Sequence, residues 1–253
     1  MKKSAILSKT LAVLLCLLMV VSILPIATFA AKVPMPTGMT KISDEEQTLA
    51  PGITQNEVAF YDQNNRKQRM FLVTADLSVD TVSVETSYYN DQGSVWGLQR
   101  LTDQVAAAEA NHAGENYKVV AGINAAFFNT STGQPGGAFA INGEVHCSDA
   151  EGNRYPFFAI LKDGTAVIDQ KNTWTTYKDR VAEAVQGYQL IVWNGENQLT
   201  YDPGSTDQTQ KVYPRTCLGI TADGKVVAIQ VDSSYSNYGL SLYHAAELMI
   251  QAG

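Results

Sequence analysis

The chain has 253 residues, 45% of them hydrophobic and 17% charged, which suits a folded core and not a disordered polymer. Its formal charge of −7 and the absence of clustered Lys and Arg exclude nucleic acid as the main partner, because a phosphate backbone rewards dense cations. A small anionic substrate is not excluded, since one or two local cations decide that.

The first 30 residues read as a signal peptide. Lys2 and Lys3 precede an apolar run from Leu11 to Ile26, and "ATFAAK" follows with small residues at Thr28 and Ala30. The mature chain is expected to start near Ala31 as a secreted or cell-envelope-associated protein. An uncleaved anchor is the alternative, against which the shortness of the run counts. Cys16 lacks the small residues expected before a lipidated cysteine, and no second run of spanning length follows. No stable membrane insertion is therefore expected after cleavage. Export permits a disulfide between Cys147 and Cys217, with two buried free thiols as the alternative. His112, His146 and His244 are scattered and offer no metal-ligand spacing, so neither a metal nor another cofactor is expected.

Residues 31–55 are rich in Pro, Thr, Ser and acidic side chains without periodicity and read as an irregular lead-in or linker. The folded domain is expected over residues 56–253. "NEVAFYD", "RMFLVTADL" and "TVSVETSYY" have the β-branched and aromatic content of strands. In "GLQRLTDQVAAAEANHAG", Leu98, Leu101, Val105 and Ala108 follow helical spacing, and Gly114 is placed to end the helix. "YKVVAGINAAFF" is nearly continuous in apolar character and reads as a strand buried on both faces. Asn142-Gly143, Asp163-Gly164 and Asp223-Gly224 each mark a hairpin between apolar runs. The final "LSLYHAAELMIQAG" puts Leu242, Ala245 and Met249 on one helical face with Ser241 as N-cap. Many strands with tight turns and two main helices make an α+β fold with a largely antiparallel sheet.

Four places carry chemistry beyond packing. In "GINAAFFNTSTGQPGG", Asn124 interrupts an apolar strand, and Gly136-Gly137 allow close approach of a ligand; a satisfied core asparagine before an ordinary loop is the plainer reading. In "YPRTCLGI", Arg215 and Thr216 stand at the start of an apolar strand, where arginine can aim its planar fork at phosphate or carboxylate or simply form a surface ion pair. Asp232 ends "VVAIQV" and suits either acid-base chemistry or a turn. Tyr188 and Trp193 offer flat faces to a sugar, although core aromatics are commoner.

Taken in order, "PGITQ", "GINAAFFN", "TGQPGGAFAINGEV", "RYPFFAILKDGTAVI", "AEAVQGYQLIVWNG", "YPRTCLGITADGKVVAIQVD" and "GLSLYHAAELMIQAG" resemble the phosphodiester glycosidase family, over residues 51–253. One of its members removes N-acetylglucosamine from a sugar phosphodiester. The resemblance implies an α+β hydrolase that cleaves the bond between an anomeric carbon and a phosphodiester oxygen, with a sugar-phosphate or glycan substrate and no cofactor. It implies catalytic roles for Arg215, which would hold the phosphodiester, and Asp232, beside the sugar. Asn124, Phe128, Gly136, Gly137 and Thr216 would bind substrate. Many relatives have "DGR" where this chain has Asp232, Ser233 and Ser234, so a second cation expected near the substrate is replaced here by a serine. The family's glycine-rich "DGGGS" segment is expected beyond the last helix, which here ends at Gly253. A non-catalytic carbohydrate-binding or wall-binding module of the same fold is the competing expectation.

Overall fold

The computed structural model describes residues 33–91, 95–146, 154–232 and 239–253, and every structural statement below concerns these residues. The signal-peptide reading, Cys147 and the two serines after Asp232 lie outside them.

The described strands form two five-stranded sheets, and all their pairings are antiparallel. Sheet one contains β1 (Thr40–Ala50), β2 (Ile53–Tyr61), β3 (Lys67–Ala75), β11 (Arg215–Ile220) and β12 (Val226–Asp232), in the order β1-β2-β3-β12-β11. Sheet two contains β4 (Phe139–Ile141), β5 (Glu144–Val145), β6 (Phe157–Leu161), β7 (Ala166–Asp169) and β8 (Val181–Gln186), in the order β5-β4-β8-β6-β7. A two-stranded ribbon joins β9 (Val192–Trp193) to β10 (Glu196–Asn197). Three α-helices, α1 (Leu101–Asn111), the single turn α2 (Trp174–Tyr177) and α3 (Leu242–Gln251), and a 3-10 turn at Tyr89–Asp91 complete the described elements. This is the mostly antiparallel α+β architecture that the turn signals predict.

Alternation along the strands decides what packs where. One face of sheet one carries Val58, Phe60, Met70, Leu72, Ile229 and Val231, which pack with Ala245, Leu248 and Met249 of α3. Its other face carries Leu218, Ile220 and Val226, which meet Phe158, Ile160 and Ile168 of sheet two. Sheet two turns Phe157, Ala159 and Ala184 outward onto Trp174 of α2, which is fully buried. Each sheet is thus buried on both faces near its centre, and the apolar runs of β6 and β12 follow from that.

The turns are those the dipeptides demand. Asn142 and Gly143 both take positive φ, 52° and 80°, as a two-residue hairpin between right-twisted strands requires. Gly164 and Gly224 take φ of 85° and 84° in the turns before β7 and β12. Asn194-Gly195 repeats the signal, at 51° and 76°, and joins β9 to β10. Helix α3 begins where expected, with Ser241 Oγ accepting from the backbone N–H of His244 at 3.3 Å.

Three segments depart from the sequence expectation. Residues 40–50, read as part of an irregular lead-in, form β1. This edge strand is mostly exposed on both faces, so backbone pairing to β2 holds it and no apolar alternation marks it; its charges suit an edge. Residues 81–89 form no ladder. Their backbone is tied down instead by the Glu183 carboxylate, which accepts from Thr86 N at 2.9 Å. Residues 117–128, expected to be a strand buried on both faces, have no ladder and are largely exposed, Phe127 at 54% and Phe128 at 51%. Their β-branched and aromatic content favours extension, but no described strand lies alongside to receive their backbone groups.

Candidate functional site

A cavity of about 1200 Å³ runs along the outer edge of β11. Because it follows an edge, consecutive β11 residues line it whichever face their side chains take. Opposite lie residues 123–128, the start of β6 and the loop from Gly187 to Gly195. Among the described residues Arg215 is the only one in this lining with a charged side chain, and the lining contains no Asp or Glu.

Arg215 lies on the α3 side of sheet one, opposite Val231 and two residues before the buried Cys217. Its Nε donates to Leu240 O at 2.9 Å, and its Nη2 donates to Lys211 O at 2.6 Å and Gln208 O at 3.2 Å. Its guanidinium also sits 5.3 Å from the Tyr213 ring centre. Burial lowers its pKa, but a guanidinium stays charged. Every acceptor it meets among the described residues is a neutral carbonyl.

Thr216, the next residue, points to the other face, opposite Gln230. Its Oγ1 lies 2.9 Å from Asn124 Oδ1 and 2.5 Å from Gln230 Oε1. The structure therefore brings Asn124 and Thr216 together although 92 positions separate them. Asp232 lies on this second face at the end of β12, opposite Arg69. Arg69 Nε and Nη2 both donate to Asp232 Oδ2, at 2.9 and 2.6 Å, and Arg69 Nη1 reaches Glu57 Oε1 at 3.5 Å. The two residues assigned catalytic roles by resemblance thus project from opposite faces of one sheet, and Asp232 is not in the cleft lining.

Phe128 lines the cleft and forms an isolated bridge with Pro135. The backbone between Asn124 and this bridge kinks at Ala126, where φ is 25°. Gly136 and Gly137 stand behind the cleft wall. Gly136 N donates to Phe127 O at 2.9 Å, and a Cβ on Gly137 would overlap Gln186 Oε1, so this glycine makes room for a neighbouring side chain. Tyr188 and Trp193 both line the cleft, and the Tyr188 and Phe127 rings meet edge to face at 5.5 Å. Cys217 is buried and has no disulfide partner among the described residues, and burial pushes its thiol pKa up to about 12, which disfavours the thiolate.

Sequence reasoning passed over Arg69, Gln186 and Gln230. The signal for Gln230 was present: an amide inside "VVAIQV" interrupts an apolar run as Asn124 does. Arg69 carried no such mark, since its partner lies 163 positions away.

The sequence profile described as phosphodiester glycosidase matches residues 117–253, more than half of the chain and all of the described cleft lining. The chain belongs to the phosphodiester glycosidase family. Its fold is similar to that of the catalytic domain of zebrafish N-acetylglucosamine-1-phosphodiester alpha-N-acetylglucosaminidase, solved in a form auto-inhibited by its pro-peptide. That likeness has a TM-score of 0.60 at 18% identity and covers 83% of this chain and 73% of that one. A hypothetical protein from Synechocystis is similar at a TM-score of 0.55 and 12% identity, over 84% of this chain and 56% of its own. No curated protein sequence matches the chain significantly. At these identities the solved structures establish the phosphodiester glycosidase fold, and the site chemistry has to be argued from this chain's own residues.

Proposed function

We propose that this protein is a secreted hydrolase that cleaves the glycosidic bond of a sugar phosphodiester in a cell-envelope or extracellular glycan. The observation that carries the reading is Arg215, the one charged side chain among the described residues that line the cleft of an acidic chain, hydrogen-bonded there to neutral carbonyls alone. A phosphodiester entering the cleft meets a cation that no carboxylate side chain among the described residues pairs with. Family membership supports the reaction class, and the charged, apolar and small-residue regions of the first 30 residues support export.

In this reaction the bond from the anomeric carbon to the phosphate oxygen breaks, its electron pair leaves with the phosphomonoester, and water delivers oxygen to the carbon and its proton to solvent. Positive charge grows on the sugar ring, where the Asp232 carboxylate stabilises it. The departing phosphate is already a stable anion, so placement matters more than acid catalysis. Since Arg215 and Asp232 take opposite faces of sheet one, the substrate lies across the outer edge of β11, phosphate on the Arg215 side and sugar on the Thr216 side.

Replacing Arg215→Lys keeps the charge but loses the planar fork. It is expected to lower kcat/KM for a methyl phosphodiester of N-acetylglucosamine by about tenfold, on the order of one charge-assisted hydrogen bond, while binding of the neutral methyl glycoside is unchanged. Equal losses on both would end the phosphate role. A second reading, a carbohydrate-binding module without turnover, is favoured by one observation: the Asp232 carboxylate is already engaged by Arg69. Diester binding without release of phosphomonoester would select it.

A further inference from the structure

The large cleft and a second cavity of about 320 Å³ share Ile123, Asn124 and Gln230. The smaller cavity lies over the second face of sheet one, against Phe71, Val73 and Ala228. Strand register puts Asp232 and Arg69 one pair beyond Gln230 and Phe71 on that face. A volume of this size is at the lower end for ligand sites, about 300–1,000 Å³, and suits a single sugar ring.

The hydrogen bonds at the junction have a direction. Thr216 has one hydroxyl proton and two amide oxygens within reach, Asn124 Oδ1 at 2.9 Å and Gln230 Oε1 at 2.5 Å. Gln230 is fixed, because its Nε2 donates to Val231 O at 3.3 Å, so its Oε1 takes the Thr216 proton. The Asn124 amide has no other hydrogen-bond partner among the described residues, and the two ends of a carboxamide are nearly isosteric. Turned over, it donates Nδ2–H to Thr216 Oγ1 and leaves Oδ1 as an acceptor facing the cavities. Val231, Gln230, Thr216 and Asn124 then form a relay with one open end.

We propose that Gln230, acting through Thr216, positions Asn124 to accept a hydrogen bond from a hydroxyl of the substrate's sugar, which occupies the smaller cavity while the phosphate remains beside Arg215. This rests on the sugar-phosphodiester reading of the same site. Asn124 touches the ligand, and Gln230 and Thr216 are positioning residues. The apolar floor at Phe71 and Val73 suits the C–H face of a sugar ring, and the three amides of Gln55, Asn124 and Gln230 suit its hydroxyls.

The test is calorimetric titration of the purified protein with the methyl α-glycosides of N-acetylglucosamine, glucose and mannose as neutral probes and dimethyl phosphate as the anionic probe. Gln230→Leu and Thr216→Val each weaken the tightest glycoside by about tenfold, on the order of one positioned hydrogen bond, and leave dimethyl phosphate within about twofold. Thr216→Val favours a strand, so it keeps the readout should Gln230→Leu fold poorly. Thr216→Ser, which retains the hydroxyl, restores glycoside binding. Equal weakening of both probes, no weakening, or no rescue by serine overturns the positioning role, as does a protein that binds none of the three glycosides. The two readings fail separately. Glycoside binding with this pattern but no hydrolysis of a diester removes the hydrolase and keeps the relay; hydrolysis with an unchanged sugar KM in both variants removes the relay and keeps the hydrolase.

Discussion

Glu183 of β8 is only 7% exposed, and its two oxygens serve two separate segments. Oε2 accepts from Thr86 N and Oε1 from Asn142 N, each at 2.9 Å. Burial raises its pKa above the ordinary 4.5 despite those two bonds, because removing a carboxylate from water penalises its charged form. The linkage sign follows. A raised folded pKa favours the protonated state in the fold, so this stabilisation is full below the unfolded value and is lost as pH rises through the folded one. Glu183→Gln abolishes the titration but turns an NH₂ toward one of the two backbone donors, at a cost of about 1–3 kcal/mol. Urea unfolding at stepped pH is expected to show the wild type more stable than Glu183→Gln, with the gap shrinking as pH rises above 4.5. A gap constant with pH would show that Glu183 has the same pKa folded and unfolded.

At the scale of elements, the start of α3 is locked to the turn between β2 and β3 through His244. Its Nδ1 lies 2.8 Å from Ser241 Oγ and 3.1 Å from Gln63 Nε2. With the Gln63 NH₂ facing the ring, Nδ1 accepts and carries no proton. Burial lowers its pKa below 6.5, and Arg66 adds to this, while Asp62 and Glu247 oppose it. A depressed histidine gives stability that is complete above pH 6.5 and lost as pH falls through the folded value. Chemical unfolding between pH 8 and 5 is therefore expected to show a decline in the wild type that His244→Gln lacks; parallel curves would exclude protonation of His244 as the cause. This lock shows what the sequence could and could not reveal. Ser241 as N-cap, the apolar face of α3 and the three Asn-Gly or Asp-Gly hairpins were legible because each rests on neighbours within a few positions. The partner of His244 lies 181 positions away, and no local pattern points to it. β1 was illegible for a related reason, since a polar edge strand carries no alternation. Residues 117–128 misled in the opposite sense, with strand composition but no described strand beside them and only an isolated bridge at Phe128. In the candidate site the individual residues Asn124, Arg215, Thr216 and Asp232 stood out by type, whereas their grouping depended on strand register, which puts Arg215 on one face and Thr216 with Asp232 on the other.

The molecule as a whole sets a field that opposes its own proposed substrate. Its formal charge is −7 over the full sequence and more negative without Lys2, Lys3 and Lys9 of the first 30 residues, and a phosphodiester approaching from solvent is repelled by the sum of that charge before it meets Arg215 at close range. The two terms respond differently to salt. At about 0.01 M the screening length is about 30 Å, so the net charge reaches well beyond the surface; at about 0.15 M it falls to about 8 Å. The contact with Arg215 acts over a hydrogen-bond distance inside a partly desolvated cleft and is screened much less. Raising salt over this range therefore removes repulsion faster than attraction, and kcat/KM for a sugar phosphodiester is expected to rise or hold level, the reverse of a binder that gathers anions with a basic surface. A neutral glycoside should bind equally well across the series, which separates this field effect from a change in the fold. A steep fall of diester activity with salt, with glycoside binding constant, would mean that cations beyond Arg215 do the gathering, and the phosphate would then have to be placed outside the β11 cleft.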